Sequence, residues 1–116
     1  MVYKIVNNKD LQSLPAVSES VRKILQHYVS ILSDNYGEDR NADYEGGYVI
    51  YASPHTAVEE IKNIFDFTQY SIEYVNVTDD VCSAVYIISA DYGIVIVMYF
   101  SDAPQIFKNK IGETTL

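Results

Sequence analysis

Four carboxylates, Glu38, Asp39, Asp43 and Glu45, crowd the stretch "YGEDRNADYEGGYVI" that runs from Tyr36 to Ile50. Such a density can chelate a cation, move protons or meet a basic partner. Asp39, Asn41 and Asp43 match the first, third and fifth positions of a helix-loop-helix calcium loop, whose oxygens converge on one ion at alternate residues. The match ends there. The sixth position, where the sharp turn needs Gly, is Tyr44, and the twelfth, where a bidentate Glu closes the shell, is Ile50. His27, His55 and Cys82 stand alone without ligand spacing, so no metal and no cofactor are expected.

Nucleophilic catalysis needs a Cys or Ser beside a His that a third group orients. His55 sits in "SPHT" at a helix start and His27 on a helix flank, where capping or surface roles are ordinary. Cys82, in "DDVCSAVYII", reads as a small buried hydrophobe, because Asp79 and Asp80 oppose thiolate formation. The adjacent pairs Glu59/Glu60 and Asp79/Asp80 belong to a solvated helix face and a turn, since sequence neighbours rarely converge on one substrate atom. "EGGYV" leads into a strand, whereas a phosphate cradle leads from strand to helix. No catalytic constellation can be named, and an enzyme is not expected.

Binding is the use that fits these residues best. Tyr36, Tyr44, Tyr48, Tyr51, Tyr70 and Tyr74 fall in the same acidic part of the chain. Tyr offers large contact area at low entropy cost, and acid around it steers a basic partner. Residues 33–91 carry twelve acids against Arg40 and Lys62, a net charge of −10, while residues 1–32 carry +2 and residues 92–116 balance. Such a surface repels nucleic acid and anionic membrane, since phosphate binding is driven by Lys and Arg. The expected function is therefore a small acidic non-enzymatic protein that binds a basic macromolecule, of the inhibitor, immunity or nucleic-acid-mimic type. Its candidate surface is Glu38, Asp39, Asp43, Tyr44 and Glu45, on a mobile loop.

The elements that position these residues follow from hydrophobic spacing. The 116 residues suit one domain, residues 1–116, with no repeat or linker to divide it. "VYKIV" reads as a strand. Val17, Val21, Ile24, Leu25, Tyr28, Ile31 and Leu32 form a helical stripe from about Pro15 or Ser18 to Asn35, which Gly37 stops. "GGYVIYAS" reads as a strand, and Val58, Ile61, Ile64 and Phe65 define a second helix that starts near Ser53 or Thr56. "SIEYVNV" reads as a strand whose alternation changes phase between Tyr74 and Val75, through a bulge or burial on both faces. "CSAVYIISA" and "GIVIVMYFS" form a hairpin through a three-residue "DYG" loop, and the last residues are expected to fray.

The order β-α-β-α-β-β-β predicts an α+β domain with two helices on one face of a four- or five-stranded, mainly antiparallel sheet. One feature resists that picture. Ile94 to Phe100 is apolar at both parities, so both faces of that strand need cover. If the helices cover one face, the C-terminal segment or a second copy of the chain must cover part of the other, and a homodimer through the open sheet face or its rim is expected. The alternative function is thus a homodimeric or small-ligand-binding domain that uses an apolar sheet face with Tyr86, Met98 and Tyr99. The apolar run is too short for a membrane span, the start "MVYKIVNNKD" has no secretory core, and one Cys allows no internal disulfide, so a cytoplasmic location is expected.

Overall fold

The computed structural model describes residues 2–15, 17–53, 56, 58–70, 72–76 and 84–99. The elements are β1 (Val2–Ile5), α1 (Asn8–Gln12), α2 (Glu19–Tyr36), β2 (Gly46–Ala52), α3 (Val58–Lys62), a 3-10 turn (Phe67–Gln69), β3 (Ile72–Asn76), β4 (Ala84–Ala90) and β5 (Gly93–Tyr99). They build one five-stranded sheet in the order β1-β2-β5-β4-β3. Strands β2 and β5 run parallel at its centre, and the other three pairings are antiparallel. The α+β reading with a mainly antiparallel sheet holds.

The helices do not share a face, and this removes the difficulty posed by β5. Val49, Tyr51, Ile96 and Met98 pack with Leu11 of α1 and Leu25, Val29 and Leu32 of α2. The alternate residues Tyr48, Ile50, Val95 and Val97 pack with Ile61 of α3, Phe65 and Phe67. Strands covered on both sides need apolar residues at both parities. Every residue of β2 is accordingly buried.

The covering that seemed to require a second copy comes from α3 and the 3-10 turn. Tyr86 (2% exposed) and Met98 (0%) are enclosed on opposite faces of the sheet, so they cannot belong to one docking surface. The side chain of Tyr99 lies outside the described residues.

Local chemistry explains the element boundaries. Ser18 accepts the Val21 N–H at 3.2 Å as the N-cap of α2, and at its other end Gly37, with φ of 99°, donates its N–H to Ser33 O at 2.8 Å. Sequence spacing missed α1, a single turn capped by Asn7, whose side chain accepts the Asp10 N–H at 3.0 Å. Five residues are too few to show a hydrophobic period.

The hairpin differs from expectation in its turn. Ala90 pairs with Gly93, leaving the two-residue loop Asp91–Tyr92, and Gly93 opens β5 instead of forming the turn. Gly93 is required by its neighbour, because a Cβ there would stand 2.3 Å from the Gly46 carbonyl carbon. The β3 irregularity lies between Ile72 and Tyr74, slightly earlier than the phase change suggested. His55, Cys82, Asp79, Asp80 and the chain end lie outside the described residues, as do the side chains of β3.

Candidate functional site

The acidic segment joins α2 to β2 across one end of the sheet, and it is tied down along its length. Asn41 O accepts the N–H groups of Tyr44 at 3.0 Å and Glu45 at 2.9 Å, closing a tight turn. Ala42, 4% exposed, plugs into the core cluster beneath Tyr48 and Ile50. The loop is thus anchored by an apolar residue as well as by its backbone.

Arg40 is the clamp under this loop. Its Nη2 and Nε donate to Gly47 O at 2.9 and 3.3 Å, and its Nη1 donates to Gly37 O at 3.0 Å and to Ser33 Oγ at 3.4 Å. One planar guanidinium thereby joins the end of α2, both ends of the loop and the start of β2. Partial burial lowers the Arg40 pKa from its ordinary value, and the carboxylates of Glu38 and Glu45 oppose that shift.

Two of the four carboxylates work inside the chain. Glu38 Oε1 accepts the Asn8 N–H at 2.8 Å, and Glu38 O accepts Asn7 Nδ2 at 3.1 Å, which ties the loop to the start of α1. Asp43 Oδ1 accepts Lys4 Nζ at 2.6 Å. Lys4 also lies 4.3 Å above the centre of the Tyr48 ring, so one cation serves both the acid and the aromatic face. The loop expected to be mobile is held at Glu38, Arg40, Ala42 and Asp43. Asp39, Tyr44 and Glu45 point outward, and Tyr44 is 81% exposed.

The other tyrosines divide between core and rim. Tyr48 and Tyr51 are buried in β2, and Tyr36 lies across Gly46. Tyr48 and Tyr92 stack at 6.3 Å and share a hydroxyl–hydroxyl hydrogen bond of 3.1 Å. Tyr70 donates to Asp91 Oδ2 at 3.2 Å, and Gly46 N–H donates to Tyr92 O at 2.9 Å. The Asp91–Tyr92 turn is thus fastened beside the loop, bringing a further acid to the same end of the sheet. Burial, reinforced by the bond to Tyr92, pushes the Tyr48 hydroxyl far above its ordinary pKa.

Sequence reasoning picked out Glu38, Asp39, Asp43, Tyr44 and Glu45, and the structure brings all five onto this loop. It missed Lys4, Asn7, Asn8 and Arg40, which hold the loop in shape. Arg40 carried a usable signal: it is the sole base from residue 33 to residue 61, a span otherwise rich in acid. Of the three residues at calcium-loop spacing, Asp43 Oδ1 is engaged by Lys4 Nζ, and the main-chain Asn41 O closes the loop turn. Among the described residues no three His, Cys, Asp or Glu side chains gather as metal ligands, and no helix is long and apolar enough to cross a membrane. His27 is exposed on α2, edge-on to Tyr28 at 5.0 Å. Against known proteins, no family model, no curated relative and no solved structure matches the chain.

Proposed function

We propose that this chain is a non-enzymatic cytoplasmic binding module, of the inhibitor, immunity or nucleic-acid-mimic type, which engages a basic macromolecule through Tyr44 and the carboxylates around it. The observation that carries this reading is the outward Tyr44 on a loop stiffened from below. A large aromatic in water contributes nothing to the core. Held by a rigid support, it can enter a partner's pocket with little ordering cost. Asp43 and Glu45 adjoin it in the chain, and Glu38 and Asp39 are exposed on the same loop, so the approach of a cationic surface is favoured and that of nucleic acid or an anionic membrane is opposed.

The test uses a variant that spares the internal bonds of Glu38 and Asp43: Tyr44→Ala, Asp39→Asn and Glu45→Gln together. Wild type and variant are immobilised side by side and offered lysate of the source cells, then eluted along a salt gradient. A basic protein retained by wild type alone, and released as salt screens the contact, is the expected result. Equal retention by the folded variant, or none by wild type at low salt, removes the surface from the argument.

A further inference from the structure

The apolar surface of α2 is wider than the sheet beneath it uses. Leu25, Val29 and Leu32 are buried in the core. Ile24, Tyr28 and Ile31, spaced so as to share one face of the helix, form a second row beside them. Ile24 and Tyr28 are only partly buried against the core, and Ile31 is 43% exposed. His27, exposed on the same helix, stands edge-on to Tyr28 at 5.0 Å.

Charge narrows what fits over this row. Within α2, Glu19 and Asp34 balance Arg22 and Lys23, so the helix is neutral in a chain of net charge −8. A second acidic copy meets no net repulsion from the helix itself. Arg22 is engaged with α1, its Nη1 donating to Leu11 O at 3.0 Å. Lys23 and Asp34 are exposed, and neither has an ion-pair partner among the described residues. They are separated by about three turns and therefore lie on the same side of the helix, along the edge of the apolar row.

This arrangement is complementary to itself under a two-fold rotation. With a second α2 laid antiparallel about an axis between residues 27 and 28, Ile24 of each copy comes level with Ile31 of the other. The same rotation sets Lys23 of each copy beside Asp34 of the other, and it brings the two His27–Tyr28 pairs together at the centre. Ser20 comes level with Asn35, so polar residues close both ends of the strip. A parallel pairing would bring each charge level with its own like and match none of them.

We propose that the row Ile24–Tyr28–Ile31 is a homodimer interface, covered by an antiparallel copy of the same helix and bordered by two Lys23–Asp34 ion pairs. The interface rests on α2 alone and does not depend on the Tyr44 loop.

Sedimentation of the full chain from micromolar to millimolar concentration should show a reversible monomer–dimer equilibrium. Ile31→Glu should keep the chain monomeric throughout, with the melting temperature of dilute wild type, because that side chain is already exposed. Lys23→Glu and Asp34→Lys each set like charges together at both ends of the strip, and each should weaken association by about tenfold. Mixed in equal amounts, these two variants should regain wild-type association as a heterodimer, since each supplies the charge that the other lacks. If Ile31→Glu lowers the melting temperature, the charge-swapped mixture still decides, because it alters only exposed residues. A monomer at every concentration, a dimer that folded Ile31→Glu leaves intact, or a mixture that associates no better than its components overturns the proposal.

Discussion

Arg40 Nη2 lies 2.9 Å from the carbonyl oxygen of Gly47, which makes the only guanidinium of the acidic loop the hinge-pin of that loop. The same side chain reaches Gly37 O and Ser33 Oγ, so its removal strands several acceptors at once. Arg40→Ala should destabilise the fold by about 1–3 kcal/mol in urea unfolding, the range for leaving part-buried polar groups unpaired. Arg40→Lys should recover only part of this, since an ammonium cannot hold Gly47 O through two nitrogens of one plane. Backbone relaxation of residues 38–45 supplies a second readout, with both variants loosening the loop. Equal stability of wild type and Arg40→Ala would show that the clamp is ornamental.

Lys4 and Asp43 form an ion pair of 2.6 Å whose side chains are both partly in water. Its contribution is correspondingly small. Asp43→Asn should cost less than about 1 kcal/mol, and the difference should shrink as salt is added. A larger, salt-independent loss would mean that Asp43 acts through the Tyr48 ring beneath Lys4 instead of through the charge pair.

Gly47 has φ of 94°, and a Cβ there would stand 1.9 Å from Ile94 O. That contact belongs to the central β2–β5 pairing, so neither strand can yield without breaking the ladder. Gly47→Ala is expected to lose about 3 kcal/mol or more, or to fail to fold. Gly37→Ala is the control. Its φ is also positive at 99°, yet nothing lies within 4 Å of the added Cβ, so it should cost only the backbone strain of about 1–3 kcal/mol. Denaturant midpoints for the two variants separate steric exclusion from backbone preference, and equal losses would refute the crowding.

These positions also show how far the sequence could be read. The helical stripe from Val17 to Leu32 and the β-branched runs around Val49 and Val97 announced their elements, because periodicity and side-chain shape are local properties. The face on which each helix packs is not local. It depends on whether the chain crosses the sheet between β2 and β3, and the double-sided burial of β5 was the trace of that crossing. A second copy and an opposite-face helix leave the same apolar pattern, so the pattern alone could not choose between them.

The loop was legible in its charge but not in its rigidity. Lys4 and Asp43 are thirty-nine residues apart, and the partners of Glu38 are about thirty residues away, so no spacing rule connects them. The Tyr-rich composition was ambiguous for a similar reason. Tyr48 and Tyr44 lie in the same stretch, yet one is in the core and the other in water.

Tyr48 offers a pH test of that burial. In the unfolded chain its hydroxyl ionises near pH 10, whereas burial first, and then the bond to Tyr92, hold it protonated well above that in the fold. A pKa raised by folding gives stability that is complete below the unfolded value and is lost as pH rises through the window above it. Wild type should therefore lose stability steeply above about pH 10. Tyr48→Phe should be weaker than wild type near neutrality by about 0.5–1.5 kcal/mol, the worth of a hydroxyl hydrogen bond. Its decline at alkaline pH should be shallower, because that proton is no longer there to lose. Tyr51, also raised by burial and by Tyr3, keeps the slope from vanishing. Urea unfolding across the alkaline range, with the tyrosinate absorbance followed in parallel, measures both effects, and parallel slopes for the two proteins would place the Tyr48 hydroxyl in contact with solvent.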